Sequence, residues 1–148
     1  MTKPRAYLCG AMQNLTWDEM NSWREEAERL IKDDFIVINP CRFYNFDMLK
    51  GKTQQQIERI NHEAKQFDLW AVRRSDIILV NLNYPNSTGT SIEIHMAKVW
   101  GIPVVAFGGK DKEVHPWMKN SVSVWCDTLE DAVEHIYKFY YPVLCGSN

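Results

Sequence analysis

The stretch DIILVNLNYPNSTGTSIEIHMAKVWGIPVVAF, residues 76–107, decides the fold. Ile77-Ile78-Leu79-Val80 is the most hydrophobic strand candidate in the chain, and it runs into a turn-rich segment over 81–89. A helix is predicted from about Gly89, carrying Ile92, Met96, Ala97 and Trp100 at helical spacing and closing at Gly101. Residues 102–107 then read as another apolar strand. Continuous apolar strands joined by a helix are the unit of a parallel sheet covered on both faces.

The same alternation extends outward. Upstream, Tyr7-Leu8-Cys9-Gly10 continues an apolar run from Ala6 and stops at glycine, giving a first strand. Thr16 and Glu19 have capping-box spacing, and Met20, Trp23, Ala27, Leu30 and Ile31 recur at helical intervals, predicting a helix over 16–32. Phe35-Ile36-Val37-Ile38 reads as a second strand, ended by Asn39-Pro40. Over 41–52 the periodicity lapses, with Phe43, Tyr44 and Phe46 among polar residues; loops of this length usually carry function or mobility. Thr53 opens a long polar helix with Ile57, Ile60, Ala64, Phe67 and Ala71 on one face. Downstream, Gly108-Gly109 opens a loop, a short helical turn follows Pro116, and 122–126 reads as a fifth strand. Thr128 and Asp131 cap a last helix carrying Leu129, Ala132, Val133, Ile136 and Tyr137. The expected architecture is α/β: one domain over 1–148, doubly wound around a five-stranded parallel sheet, with residues 146–148 frayed.

Composition narrows the function. The chain has 148 residues, 45% of them hydrophobic, which suits one core, and 17 basic against 19 acidic side chains give a net charge of −2. That field attracts neither a nucleic acid polymer nor an anionic membrane. No apolar run reaches the roughly 18 residues of a membrane span, and no signal-peptide pattern opens the chain, so a cytoplasmic location is expected. Cys9, Cys41, Cys126 and Cys145 are far apart and read as reduced packing thiols; the four histidines are equally scattered, and no metal site is expected.

Ligands of an open α/β sheet bind outside the carboxyl ends of the strands, where strand order reverses. That directs the search to the loops over 10–15, 40–52, 81–89 and 108–116. Gly10-Ala11-Met12-Gln13-Asn14 is not GxGxxG, and no GxxxxGK[ST] is present, so NAD and ATP are discounted and no cofactor is expected. Ser87-Thr88-Gly89-Thr90-Ser91 suits either a phosphate at a helix N-terminus or ordinary N-capping. Glu93 falls, on this reading, in the first turn of its helix at the mouth of the sheet. It either complements the helix dipole or acts as a nucleophile at an anomeric carbon.

Tyr7-Leu8-Cys9-Gly10-Ala11-Met12, Ile38-Asn39-Pro40, Asp68 and Asp76 eight apart, and Gly89 to Ala97 followed by Gly101-Ile102-Pro103-Val104 together resemble the nucleoside 2-deoxyribosyltransferase superfamily, which includes the 2-deoxynucleoside 5-phosphate N-hydrolases. The likeness runs from Tyr7 to about Met118. It implies a flavodoxin- or Rossmann-like fold and a homo-oligomer, a dimer or larger, with a site completed by a neighbour. It makes Glu93 the nucleophile on the 2-deoxyribose, Asp68 the acid that protonates the leaving base, and Tyr7 the residue that orients Glu93. Ser87, with Gly10, Gly89 and Met118, is assigned to the substrate, a small nucleoside or nucleotide. Asp76 reads as a turn or capping residue. One geometric condition follows from spacing: eight residues of helix rise about 12 Å, whereas the strand after Asp76 rises about 20 Å. Asp68 reaches the ligand edge only if its helix inclines or the site dips between strands.

Three departures bear on substrate. Ala11 and Gln13 stand where the phosphate-hydrolysing members carry serine and arginine, and Pro116 falls where a neighbour's serine is donated. A nucleotide-specific hydrolase is less expected unless Lys50, Lys52 or Lys110 substitutes. Aromatics of the 41–52 loop, Trp17 or Trp117 are candidates to stack on a base. The leading expectation is cleavage of the N-glycosidic bond of a 2-deoxynucleoside or its monophosphate, with transfer to another base or to water. The alternative is a non-catalytic nucleotide-binding or regulatory module, to which Ser91 points by replacing a glycine that often precedes the family's glutamate. Nicotinamide-nucleotide cleavage is a third reading that needs a larger cleft.

Overall fold

Each predicted apolar run forms a strand in the computed structural model, which describes residues 2–43 and 49–146. The strands are β1 (Arg5–Gly10), β2 (Ile36–Ile38), β3 (Ile77–Asn81), β4 (Val104–Phe107) and β5 (Val124–Cys126). They form one parallel sheet in the order β2-β1-β3-β4-β5, the flavodoxin-like winding. β3 at its centre is buried along its whole length, which is why its sequence lacks alternation. β2, β4 and β5 begin one or two residues later than the apolar runs suggest. Pro103, without an N–H, precedes β4, and its carbonyl accepts from Ile78 N at 3.0 Å.

The helices are α1 (Trp17–Ile31), α2 (Gln54–Arg73), α3 (Thr88–Val99), α4 (Pro116–Asn120), α5 (Leu129–His135) and α6 (Tyr141–Leu144). Thr16 and Thr53 close capping boxes with Glu19 and Gln56. α1 and α5 cover one sheet face, sharing a core with Leu8, Ile77, Leu79 and Val105. α2, α3 and α4 cover the other, over Tyr7, Cys9, Ile78, Val80 and Ala106. Among the described residues no helix is long and apolar enough to cross a membrane.

Two expectations are corrected. α3 starts at Thr88, capped by the Ser87 hydroxyl, so Glu93 lies in its second turn and not its first. The inward face proposed for α2 holds only at its C-terminal end, where Ala71 and Val72 are buried. Phe67 instead faces outward, stacked on Trp70 and edge-on to Phe43. The last helix continues past His135 through a π turn, Ile136–Tyr140, into α6. Tyr137 and Tyr141 donate to Asp34 at 2.8 and 3.2 Å, tying this tail to its own domain, while Phe139 and Val143 stay exposed. Tyr44 and Phe46 lie outside the described residues, as do 147 and 148 of the end expected to fray.

Candidate active site

Strand order reverses between β1 and β3, and the ends of these strands, Gly10 and Asn81, are register partners. Beyond them a cavity of about 580 Å³ opens between the 10–14 loop, the start of α3 and the middle of α2. Side chains of α1 can close over the end of β1 because Gly10 lacks a side chain: a Cβ there would meet Trp23 Cζ2 at 3.0 Å and Arg24 Nη2 at 3.4 Å.

Glu93 projects from α3 into this cavity. Its carboxylate is held by two donors from the same face of β1, two residues apart as strand pleating requires. The Tyr7 hydroxyl donates to Oε2 and the Cys9 thiol lies 3.9 Å from Oε1. Both donors are fully buried. Burial, then the neighbouring Glu93 and Asp68 carboxylates, pushes the Tyr7 phenol well above its usual range, so it remains a donor. Burial is also the main force on Glu93 and raises it to about 7, with help from Asp68; the Tyr7 hydrogen bond, the charge of Arg24 and Cys9 pull the other way. A carboxyl so poised is partly ionised at neutral pH and only weakly solvated, as a nucleophile requires.

Asp68 lines the same cavity, so the condition set by its spacing is met: α2 carries it to the ligand edge beside Glu93. Asp76 accepts from Arg5 N at 2.8 Å and fastens the opposite end of the sheet, away from the cavity. Gly10, Ser87 and Gly89 line the cavity. The Ser87 hydroxyl accepts from Thr90 N at 3.2 Å, so it caps α3 while facing the site. A Cβ at Gly89 would meet nothing within 4 Å, leaving open room at the helix start.

Other expected residues are not brought there. Met118, on α4, is buried and lines a separate hollow between α3 and α4 with His95, His115 and Trp117. α4 packs on α3, which sets Met118 off the cavity within one chain. Trp17 and Trp117 are exposed and do not line the cavity, and Pro116 opens α4. Lys110 pairs with Asp127 at 2.8 Å outside the site, and neither Lys50 nor Lys52 is among its lining residues. Ala11 and Gln13 do line it.

Sequence reasoning passed over three features. Cys9 read as a packing thiol, although its position two residues after Tyr7 placed it on the same strand face. Lys65 and Asn61 line the cavity from α2; their spacing from Asp68 by three and seven residues was the available signal. Arg24 is wholly buried and donates to Leu8 O at 3.2 Å, Gly10 O at 2.9 Å and Met20 O. Pro4 O, of the same parity as Leu8 and Gly10, faces β2 and accepts from Ile36 N, but β2 stops at Ile38. The guanidinium therefore takes the place of the missing strand at the rim of the site.

A family model described as a domain of unknown function, DUF4406, matches residues 4–106. No curated protein is recognisably similar in sequence. Solved structures share the fold. A 2-deoxyribosyltransferase from Bacillus psychrosaccharolyticus superposes with a TM-score of 0.68 at 17% identity, covering 95% of each chain. A conserved protein from Enterococcus faecalis V583 gives 0.66 at 19% identity over 93% of this chain and 99% of its own. The CMP N-glycosidase BcmB of Clostridium botulinum gives 0.53 at 16% identity over 91% and 99%.

Proposed function

Because the chain belongs to the DUF4406 family, within the nucleoside 2-deoxyribosyltransferase-like superfamily, we propose that it cleaves the N-glycosidic bond of a 2-deoxynucleoside or its 5-monophosphate. A carboxylate oxygen of Glu93 attacks the anomeric carbon, and the electron pair of the breaking bond passes to the base nitrogen, which Asp68 protonates. Water or a second base then attacks the glycosyl-Glu93, giving its proton to Asp68 and freeing the glutamate. Tyr7 and Cys9 orient the nucleophile, and the carboxyl ends of β1 and β3 supply the floor.

The observation that carries this reading is the convergence of the Tyr7 hydroxyl and Cys9 thiol on Glu93, in a cavity that also holds Asp68. Lys65 is the only cationic side chain among the described residues lining that cavity, which favours the nucleoside over the doubly charged monophosphate. A homo-oligomer accompanies the proposal, since Met118 can meet substrate only if a neighbour brings it.

The test is a mixture of one deoxynucleoside with a second free base, followed by chromatography. Release of the first base supports the proposal, and appearance of the exchanged nucleoside identifies a transferase. Glu93→Ala is expected to do neither. Full activity in that variant, or no product with any deoxynucleoside or monophosphate, refutes the assignment.

A further inference from the structure

Asn61, Ala64, Lys65 and Asp68 all line the cavity, and their spacing of i, i+3, i+4 and i+7 makes them one continuous face of α2. This explains why α2 is polar and little buried over its middle turns: part of its inward face there borders a cavity and not a core. On this strip Asp68 and Ala64 are half-buried, and Lys65 and Asn61 are exposed. Lys65 therefore stands nearer the solvent-facing mouth than Asp68.

Resting on the N-glycosidic reading, we propose that this face reads the leaving base, with Lys65 donating to a carbonyl oxygen on the edge remote from the glycosidic nitrogen, so that the protein prefers oxo bases of the uracil, thymine and hypoxanthine type. Asp68 must meet the glycosidic nitrogen to protonate it. Lys65 stands three residues nearer the mouth, about 4.5 Å along the helix axis, a rise comparable to the breadth of a pyrimidine ring. Ala64 leaves the wall between them flat enough for a planar ring. When the bond breaks, its electron pair is delocalised from the ring nitrogen onto the conjugated carbonyl oxygen. An ammonium there gains most in the transition state, as the oxygen becomes anionic. An exocyclic amino group in the same place offers a donor to a donor and loses that contact. No carboxylate on the described lining other than Asp68 and Glu93 competes for the ammonium.

The experiment compares kcat/KM for deoxyuridine with deoxycytidine, and deoxyinosine with deoxyadenosine, in the wild-type protein and in Lys65→Met and Lys65→Gln. Lys65 is exposed, and urea denaturation of each variant checks that the fold is kept. The wild type is expected to favour the oxo member of each pair. Lys65→Met is expected to lose about 10- to 100-fold on the oxo members, chiefly in kcat, and little on the amino members, with Lys65→Gln between. An equal loss on both members, an oxo preference that survives in Lys65→Met, or a wild-type preference for amino bases overturns the assignment of Lys65 while leaving the glycosidic reading intact. Absence of base release from every substrate by the wild type overturns the glycosidic reading itself.

Discussion

Glu93→Gln tests the electrostatics of the site without a substrate. In the unfolded chain a glutamate has its ordinary pKa near 4.5, whereas in the fold Glu93 is raised to about 7, mainly by burial. Between those values the folded state binds more protons than the unfolded state, so this group makes unfolding easier as pH rises. Its favourable contribution is complete below about pH 4.5 and is lost as pH passes through 7. A pKa difference of this size corresponds to about 3 kcal/mol, and partial solvent access lowers that to about 2 kcal/mol. Glutamine keeps the shape and accepts from Tyr7 but does not titrate. The stability of Glu93→Gln minus that of the wild type should therefore climb by about 1.5–2 kcal/mol between pH 5 and 8.5, the rest of the change lying below pH 5. Urea denaturation followed by tryptophan fluorescence at several pH values measures it, and other titrating groups largely cancel in the difference. Parallel curves for the two proteins, or a wild type that gains on the variant with rising pH, would refute the reasoning.

Other expectations concern the groups around Glu93. In the wild type the acid limb of the kcat/KM profile should fall near pH 7; Tyr7→Phe should move it to higher pH and lower kcat/KM about 10- to 100-fold, and an unmoved limb would sever Tyr7 from the nucleophile. Cys9→Ala should shift the same limb upward by less and Cys9→Ser should restore it, because the hydroxyl supplies a donor; equal profiles for the two variants would make Cys9 a packing residue only. Arg24→Met fills much of the volume but leaves the Leu8 and Gly10 carbonyls without their donor, and should destabilise by about 3 kcal/mol in urea denaturation. A loss below about 1 kcal/mol would mean that water or the backbone satisfies them instead.

What was legible in the sequence follows from how local each signal is. The strands were readable because β1, β3 and β4 are buried on both faces and so read as unbroken apolar runs, and the caps at Thr16, Thr53 and Thr128 are local chemistry. Tyr7 and Glu93 were singled out because both belong to segments that together resemble a known family, and the fold brings their side chains into contact. The turn occupied by Glu93 was misread because the Ser87 cap, set by a hydroxyl reaching Thr90 N, starts α3 one residue before the glycine. α2 misled for a different reason. Ala64 has the spacing of a core residue, and helical periodicity does not distinguish a face that meets a core from one that borders a cavity. Arg24 was illegible in principle: within an amphipathic helix it reads as a solvated residue. Its burial comes from β2 ending at Ile38 and leaving two carbonyls of a distant strand in need of a donor.

The covalent role of Glu93 is tested most directly by the configuration of the product at its anomeric carbon. With methanol present as a small acceptor, NMR of the methyl deoxyriboside formed from a β-deoxynucleoside distinguishes the two courses. Attack by Glu93 followed by methanol inverts the centre twice, so the β product is expected. An α product formed at the outset would mean direct displacement by solvent, and would contradict the glycosyl-glutamate.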